Sequence, residues 1–167
     1  MKKKIALITG INGQDGAYLS ELLIKKNYSV HGILRRSANF KLGRLHYLNV
    51  LEKINFHHSE LNEFQNIQNL IKKIKPDVIY NLAAQSFVQY SFDNPFYTAD
   101  INYHAVLNML ETIRRNKMDT KFYQASTSEM FGNTNVDKQN ENTIFYPASP
   151  YAISKVSSHF LIGHYRK

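Results

Sequence analysis

The sequence has no cysteine, only four prolines and seven glycines, and no long uninterrupted apolar run. Without cysteine, a disulfide framework and a thiolate metal site are excluded, and we expect a cytoplasmic protein without a bound metal. The apolar stretch at residues 5–8 is too short for a secretory signal and meets the polar Asn12 almost at once. No segment reaches the roughly 20 apolar residues of a transmembrane helix, so we expect no membrane association.

The charge balance is the most unusual feature of the composition. Among 167 residues, 21 Lys and Arg against 13 Asp and Glu give a formal charge of +8. The basic residues are spread along the chain and no nucleic-acid motif accompanies them, so we expect a solvated basic surface and no nucleic-acid partner. A nucleic-acid binder stays the least favoured alternative, while a basic chain also suits an anionic small ligand.

Short β-type runs alternate with runs of helical period, and 43% hydrophobic residues supply a core for one domain. The patterns predict strands at 4–9, 28–34, 55–58, 78–83 and 121–125, and helices at 15–26, 63–75, 95–115 and 150–164. This order predicts an α/β fold with a doubly wound parallel sheet of the Rossmann type. The polar stretch 132–147 is long enough to be an active-site loop. No strand follows the last helix, so we expect an incomplete domain over residues 1–167.

Three glycines spaced G-x-x-G-x-x-G directly follow the first predicted strand, at Gly10, Gly13 and Gly16. Gly10 allows a tight turn, Gly13 lets backbone N–H groups approach a pyrophosphate, and Gly16 lets the following helix pack closely on the sheet. The spacing is typical of the extended branch of the short-chain dehydrogenases and reductases. The loop therefore predicts a dinucleotide site.

The residues after the second strand favour NADP over NAD. An NAD site usually places an acidic residue there for the ribose 2′-hydroxyl, but the sequence has no Asp or Glu between Glu21 and Glu52. Arg35, Arg36 and Ser37 stand there instead, and two guanidiniums and a hydroxyl suit a 2′-phosphate.

Tyr151 and Lys155 form the pattern Tyr-x-x-x-Lys at the start of the last helix. With 11 tyrosines in the chain, the pattern alone arises by chance, but its place after the fifth strand gives it weight. Both side chains share one face of the helix, and a nearby ammonium favours a phenolate that can act as a base. Upstream, Thr127 and Glu129 follow the fifth strand and face the same side if the chain there stays extended.

Together these residues resemble the GDP-mannose 4,6-dehydratases, a family of the extended short-chain dehydrogenase/reductase superfamily. The most specific segments are residues 6–16, 31–37, 80–86, 122–129 and 146–152. Gln14-Asp15 after the second glycine, and Thr-Ser-Glu at 127–129, indicate the mannose enzymes rather than related dehydratases. The resemblance covers essentially the whole chain and implies a C-terminal half, with most of the sugar pocket, beyond it.

The resemblance implies the site residues position by position. It implies catalysis by Thr127, Glu129, Tyr151 and Lys155. It implies NADP contacts at Gly10, Ile11, Asn12, Gly13, Gln14, Asp15, Gly16, Arg35, Arg36, Ser37, Ala38, Glu60, Leu61, Leu82, Ala83, Ala84, Gln85, Ser86, Tyr97 and Lys155. It implies substrate contacts at Ser86, Thr127, Ser128, Glu129 and Tyr151.

The family reaction converts GDP-mannose to GDP-4-keto-6-deoxymannose through internal hydride transfer from C4 to C6. Two alternatives stay open: a 4-keto reductase or 4-epimerase acting on a nucleotide sugar, and a non-catalytic NADP-binding fragment. In the superfamily, subunits often pair through the helices after strands four and five, so a homo-oligomer, dimer or tetramer, is expected.

Overall fold

The computed structural model describes residues 2–38 and 41–167, and these fall into two compact units. The first unit contains the described residues of Met1–Ala83 together with Glu111–Ala125; the second contains Ala84–Leu110 and Ser126–Lys167. Each unit is built by its own packing.

A five-stranded sheet forms the centre of the first unit. Its strands are β1 (Ile5–Thr9), β2 (Ser29–Leu34), β3 (Ile54–His58), β4 (Val78–Asn81) and β5 (Lys121–Gln124). All neighbours are parallel and the order is β3-β2-β1-β4-β5. The predicted doubly wound parallel sheet is therefore confirmed. The chain reverses its direction of winding between β1 and β4, where such sheets have a crevice at the strand carboxyl ends.

The central strand explains why its sequence is almost continuously apolar. In β1, Leu7 aligns with His31 of β2 on one side and Ile79 of β4 on the other. Ala6, Leu7 and Ile8 are completely buried. A strand covered on both faces and paired on both edges has no position for a polar side chain, except where it ends.

Among the residues that the structure describes, three helices lie entirely within the first unit: α1 (Gln14–Lys25), α2 (Gly43–Tyr47) and α3 (Phe64–Ile74). A 3₁₀ turn spans Leu51–Lys53. α3 buries Ile67 and Ile71. The helix is terminated by Lys75, which has a left-handed backbone conformation and is followed by Pro76. α1 and α3 were predicted within a residue at each end. α2 was missed because five residues are too few to show a helical period.

The remaining helical elements are α4 (Tyr90–Asp93), α5 (Pro95–Ala99), a π-helical segment (Asp100–His104), α6 (Ala105–Arg115) and α7 (Pro150–Tyr165). They lie in the second unit, except that α6 belongs to the first unit from Glu111 onward. A 3₁₀ turn covers Ser128–Met130. The single helix predicted over 95–115 is thus interrupted by a π turn, which apolar periodicity does not reveal. In the described part of the chain, no helix combines the length and the apolar character needed to cross a bilayer.

Two histidines face each other on neighbouring strands of the sheet. Nδ1 of His31 lies 2.9 Å from Nε2 of His57, and the rings stack 5.2 Å apart at 5°. Burial lowers the pKa of both rings, and the positive charges of His31, Lys73 and His58 lower the pKa of His57 further. Because one ring must donate and the other accept, the pair needs at least one neutral imidazole.

We expect this pair to make the fold acid-sensitive. The pKa of each ring is lower in the folded state than the ordinary value near 6.5, so the unfolded chain binds more protons and stability is lost as pH falls below that value. Chemical denaturation at about pH 7.5 and about pH 5.5 should show a smaller acid loss for His57→Gln than for the unaltered chain. His46→Gln, at an exposed position of α2, is the matched control. An identical acid loss in His57→Gln would contradict the role of the pair.

Candidate functional site

The loop between β1 and α1 has no room for a side chain at Gly10. Its φ is +68°, and a Cβ there would lie 2.9 Å from the backbone nitrogen of Ala83. At Gly16 a Cβ would lie 2.5 Å from the Gly10 carbonyl oxygen. The N-cap of α1 is Gly13, and no side chain caps it in the described structure. The first N–H groups of a helix lack intrahelical acceptors, so the loop and helix together form a cradle suited to an anion.

Polar residues at the ends of three neighbouring strands form a connected network. The Thr9 hydroxyl donates to Oδ1 of Asn81 at 2.6 Å and accepts from the Ala83 N–H at 3.0 Å. Nδ2 of Asn81 donates to Oε1 of Gln124 at 2.7 Å. These residues were not predicted as part of a site, although a polar residue at the end of each of the three strands was the available signal. The network holds the ends of β1, β4 and β5 where the predicted cofactor loops leave the sheet.

The two arginines after β2 are both exposed, and the structure gives Arg36 a partner that was not predicted. Nη1 of Arg36 forms an ion pair with Oε1 of Glu63, the residue immediately before α3. Glu60 is half-buried and Leu61 is buried in the same short loop after β3. The residues predicted to hold the adenosine end of the cofactor therefore lie in two loops joined by this pair.

In the second unit, Tyr151 and Lys155 lie one turn apart on α7. The helix begins after Ser149, whose hydroxyl accepts the Ala152 N–H at 3.0 Å, with Pro150 in its first turn. Tyr151 is 7% and Lys155 4% exposed, and Nζ of the lysine lies 6.0 Å from the centre of the Tyr151 ring. Burial lowers the pKa of Lys155 to about 8. A buried ammonium near the phenol is the arrangement expected from the spacing.

The backbone of Thr127 is extended, but the chain does not stay extended as far as Glu129, which was the condition for the two side chains to face the same side. Ser128–Met130 form a 3₁₀ turn, and the Thr127 hydroxyl accepts the Glu129 N–H at 3.3 Å. A hydroxyl that caps a turn satisfies its backbone, and this local bond replaces the strand geometry. Thr127 is half-buried, whereas Ser128 and Glu129 are exposed, and the turn packs against α7.

Asn102 was not predicted as a site residue. It is 2% exposed within the π-helical segment. Its Oδ1 accepts the Gln85 N–H at 2.9 Å, and its Nδ2 donates to the Gln85 carbonyl at 3.0 Å and to the Ser154 hydroxyl at 3.2 Å. Ser154 in turn donates to the Tyr151 carbonyl at 2.7 Å, and Ser158 donates to the Asn102 carbonyl at 2.6 Å. One side chain thus joins the segment after β4 to the helix that carries Tyr151.

Gln85 leaves one buried polar atom unsatisfied. Its Nε2 donates to the Phe87 carbonyl at 3.0 Å, but its Oε1 is buried without a hydrogen-bond partner among the residues that the structure describes. A buried acceptor without a partner is costly, so it is suited to a donor from a bound molecule. Of the other predicted contacts in this unit, Ala84 and Tyr97 are half-buried and Ser86 is exposed.

The long polar loop over 132–147 is anchored at both ends. The Tyr146 N–H donates to the Met130 carbonyl at 3.1 Å, and this hydrogen bond joins the two ends of the loop. The Phe145 ring lies 5.2 Å from Phe131, 5.1 Å from His159 and 5.9 Å from Phe160, centre to centre. These aromatic contacts attach the loop to α7, so the loop that follows Glu129 is held on the helix of Tyr151 and Lys155.

Solved structures show the same fold. A UDP-Glc/GlcNAc 4-epimerase from Campylobacter jejuni superposes with a TM-score of 0.87 at 24% identity, covering 97% of this chain and 49% of that chain. A UDP-glucose 4-epimerase from Thermotoga maritima, solved with UDP-glucose, gives a TM-score of 0.84 at 25% identity, covering 96% of this chain and 50% of that chain.

Relatives found by their sequence share more identical residues with this chain than these solved structures do. A GDP-mannose 4,6-dehydratase from Yersinia enterocolitica is 47% identical, covering 100% of this chain and 46% of that protein. GDP-mannose 4,6 dehydratase 1 from Arabidopsis thaliana is 45% identical, covering 99% of this chain and 48% of that protein. The chain thus spans about half the length of the curated relatives it matches. The family model described as GDP-mannose 4,6 dehydratase matches residues 7–167, and the chain belongs to this family.

Proposed function

We propose that the protein, at its natural full length, dehydrates GDP-mannose to GDP-4-keto-6-deoxymannose and uses NADP as a recycled cofactor. The observation that carries this proposal is the buried Tyr151–Lys155 pair on α7, with Glu129 on a turn that packs against the same helix. The curated relatives, named as GDP-mannose 4,6-dehydratases, support the substrate.

The residues present fit a dinucleotide. The tight turn at Gly10 brings the loop onto the start of α1, and the uncapped N–H groups of that helix start suit a pyrophosphate. Arg35, Arg36 and the hydroxyl of Ser37 provide donors for a 2′-phosphate. In the second unit, the unsatisfied Oε1 of Gln85 provides an acceptor, and Lys155 a cation, for groups at the nicotinamide end.

Each catalytic side chain has a role that matches its chemistry. The Tyr151 hydroxyl oxygen, as phenolate, takes the proton of the sugar 4-hydroxyl, and the Lys155 ammonium stabilises that phenolate. Held by the glycine loop and Lys155, a bound NADP would supply the hydride acceptor for C4 and the hydride source for C6. Thr127 donates a hydrogen bond to the oxygen at C4, where negative charge develops.

Glu129 performs the elimination. Oxidation at C4 acidifies the proton at C5, and the Glu129 carboxylate removes it. The hydroxyl at C6 leaves as water with the proton that Glu129 took from C5. When the hydride returns to C6, C5 takes up one proton, which balances the proton that Tyr151 removed from the 4-hydroxyl. Glu129 is exposed in this chain, so its carboxylate is accessible to a bound molecule. Ser128 beside it is a candidate for assisting the departure of water.

We expect Glu129→Gln to stop dehydration while leaving oxidation at C4 possible. The amide cannot take the C5 proton, so formation of the 6-deoxy product should fall by about 10²–10⁴-fold. Mixing the variant with NADP⁺ and GDP-mannose should build up the absorbance of reduced nicotinamide. Glu52→Gln, at an exposed position in the 3₁₀ turn over Leu51–Lys53, is the matched control and should dehydrate normally. Unchanged dehydration by Glu129→Gln would remove this residue from the mechanism, and an epimeric sugar as product would favour the 4-epimerase.

We expect the full-length protein to bind NADP⁺ more tightly than NAD⁺. Arg35→Ala should reduce that preference about tenfold, because a hydrogen-bonded charge on the 2′-phosphate is lost. Calorimetry with both nucleotides measures the ratio. Arg115→Ala is the control, because that arginine is paired with Glu111 on α6. Equal affinities of the unaltered protein for the two nucleotides would refute NADP as the cofactor.

We also expect a homo-oligomer, dimer or tetramer, formed through the helices after β4 and β5. Phe96 on α5 and Phe160 on α7 are 86% and 64% exposed, and exposed aromatic side chains favour association. Light scattering on the full-length protein at several concentrations should give a multiple of the subunit mass. A single-subunit mass at every concentration would contradict this assembly.

A further inference from the structure

The ion pair between Arg36 and Glu63 joins two loops that leave the sheet side by side. The loop after β2 carries Arg36, and Glu63 ends the loop between β3 and α3. The Ser59 N–H donates to the Leu34 carbonyl at 3.1 Å, so both loops start from paired strand ends. The predicted contacts for the adenosine part of the cofactor lie in these same two loops.

The Glu63 carboxylate is held in place independently of Arg36. While Oε1 faces the guanidinium, Oε2 accepts from the Ser59 hydroxyl at 2.8 Å, from the Glu60 N–H at 3.2 Å and from Nδ2 of Asn66 at 3.2 Å. The hydrogen bond from Ser59, followed by that from Asn66, lowers the pKa of Glu63, so the carboxylate is ionised at neutral pH. Glu63 is therefore the fixed partner of the pair, and Arg36 is the partner that is positioned.

The pair leaves Arg36 accessible. The arginine side chain is 57% exposed and that of Glu63 26%. A guanidinium carries five N–H donors in a planar fork, and the bond to Glu63 uses Nη1. Holding a long side chain in one orientation before a ligand arrives reduces the conformational entropy that binding would otherwise cost.

We propose that Glu63 is a positioning residue for cofactor specificity, which holds the Arg36 guanidinium for the 2′-phosphate that distinguishes NADP from NAD. The inference rests on the proposed use of NADP. Glu63 acts through Arg36 and does not itself touch the phosphate. A carboxylate also repels a phosphate, and Glu63→Gln removes this repulsion together with the ion pair, so the sign of the effect discriminates between positioning and competition.

The test is calorimetry on the full-length protein with NADP⁺ and NAD⁺, using Glu63→Gln, Arg36→Ala and the double variant. We expect Glu63→Gln to weaken NADP⁺ binding about three- to tenfold while changing NAD⁺ binding less than about twofold, the range for a partly exposed ion pair. In the Arg36→Ala background, Glu63→Gln should leave the NADP⁺/NAD⁺ ratio unchanged. A merely structural role would weaken both nucleotides alike and would persist without Arg36.

Two further variants keep the result interpretable. Glu63→Asp retains the charge on a shorter side chain and should recover part of the NADP⁺ preference. If Glu63→Gln does not fold, Glu63→Asp should still weaken NADP⁺ binding more than NAD⁺ binding, and an equal change for both nucleotides would overturn the positioning role. Glu21→Gln, which removes an exposed ion pair with Lys25 on α1, should leave both affinities unchanged. If the unaltered protein shows no preference for NADP⁺, the proposed cofactor is wrong. If it shows the preference and Glu63→Gln keeps or increases it, the positioning role is wrong.

Discussion

The first unit depends on a contact between backbones at the crossover point of the sheet. Gly10 has a positive φ and packs directly against the backbone of Ala83. The Gly10 carbonyl oxygen packs equally closely against Gly16, at the position that a Cβ of residue 16 would need. These approaches leave no volume for even one methyl group. They bring the start of α1 onto the ends of β1 and β4, where the strand order reverses. An anion cradle at this place is a consequence of how closely these chains pack.

Buried polar side chains carry out the finer positioning. Thr9, Asn81 and Gln124 connect the ends of three strands in the first unit, and Asn102 connects the Gln85 segment with α7 in the second. In an apolar core, such groups are stable only when their partners are in place, so each network specifies one arrangement of its loops. The unsatisfied oxygen of Gln85 is an exception, and exceptions of this kind are expected where a ligand binds.

Charge is distributed in keeping with an anionic ligand. The chain carries a net charge of +8, yet one of its lysines, Lys155, is almost completely buried, with its pKa lowered to about 8. Removing an ammonium from water has a free-energy cost, and that cost is difficult to explain for a purely structural helix. Unlike Lys155, the arginines after β2 are exposed to solvent. One of them, Arg36, is paired with the Glu63 carboxylate, which also accepts hydrogen bonds from three other groups.

The sequence by itself determined the order of strands and helices, the parallel sheet, the glycine loop and the Tyr151–Lys155 pair, since all of these depend on local periodicity or on spacing along one element. Apolar runs and prolines indicate those elements independently of the tertiary contacts that the rest of the chain makes. Only the tertiary structure decided the π turn at Asp100–His104, the 3₁₀ turn at Ser128–Met130, and the partners of Arg36 and Asn102. These features arise from hydrogen bonds between residues distant in sequence, or from a local cap that competes with the strand. Neither leaves a periodic signal, because the energy that selects them exists only once the partner segments have packed together.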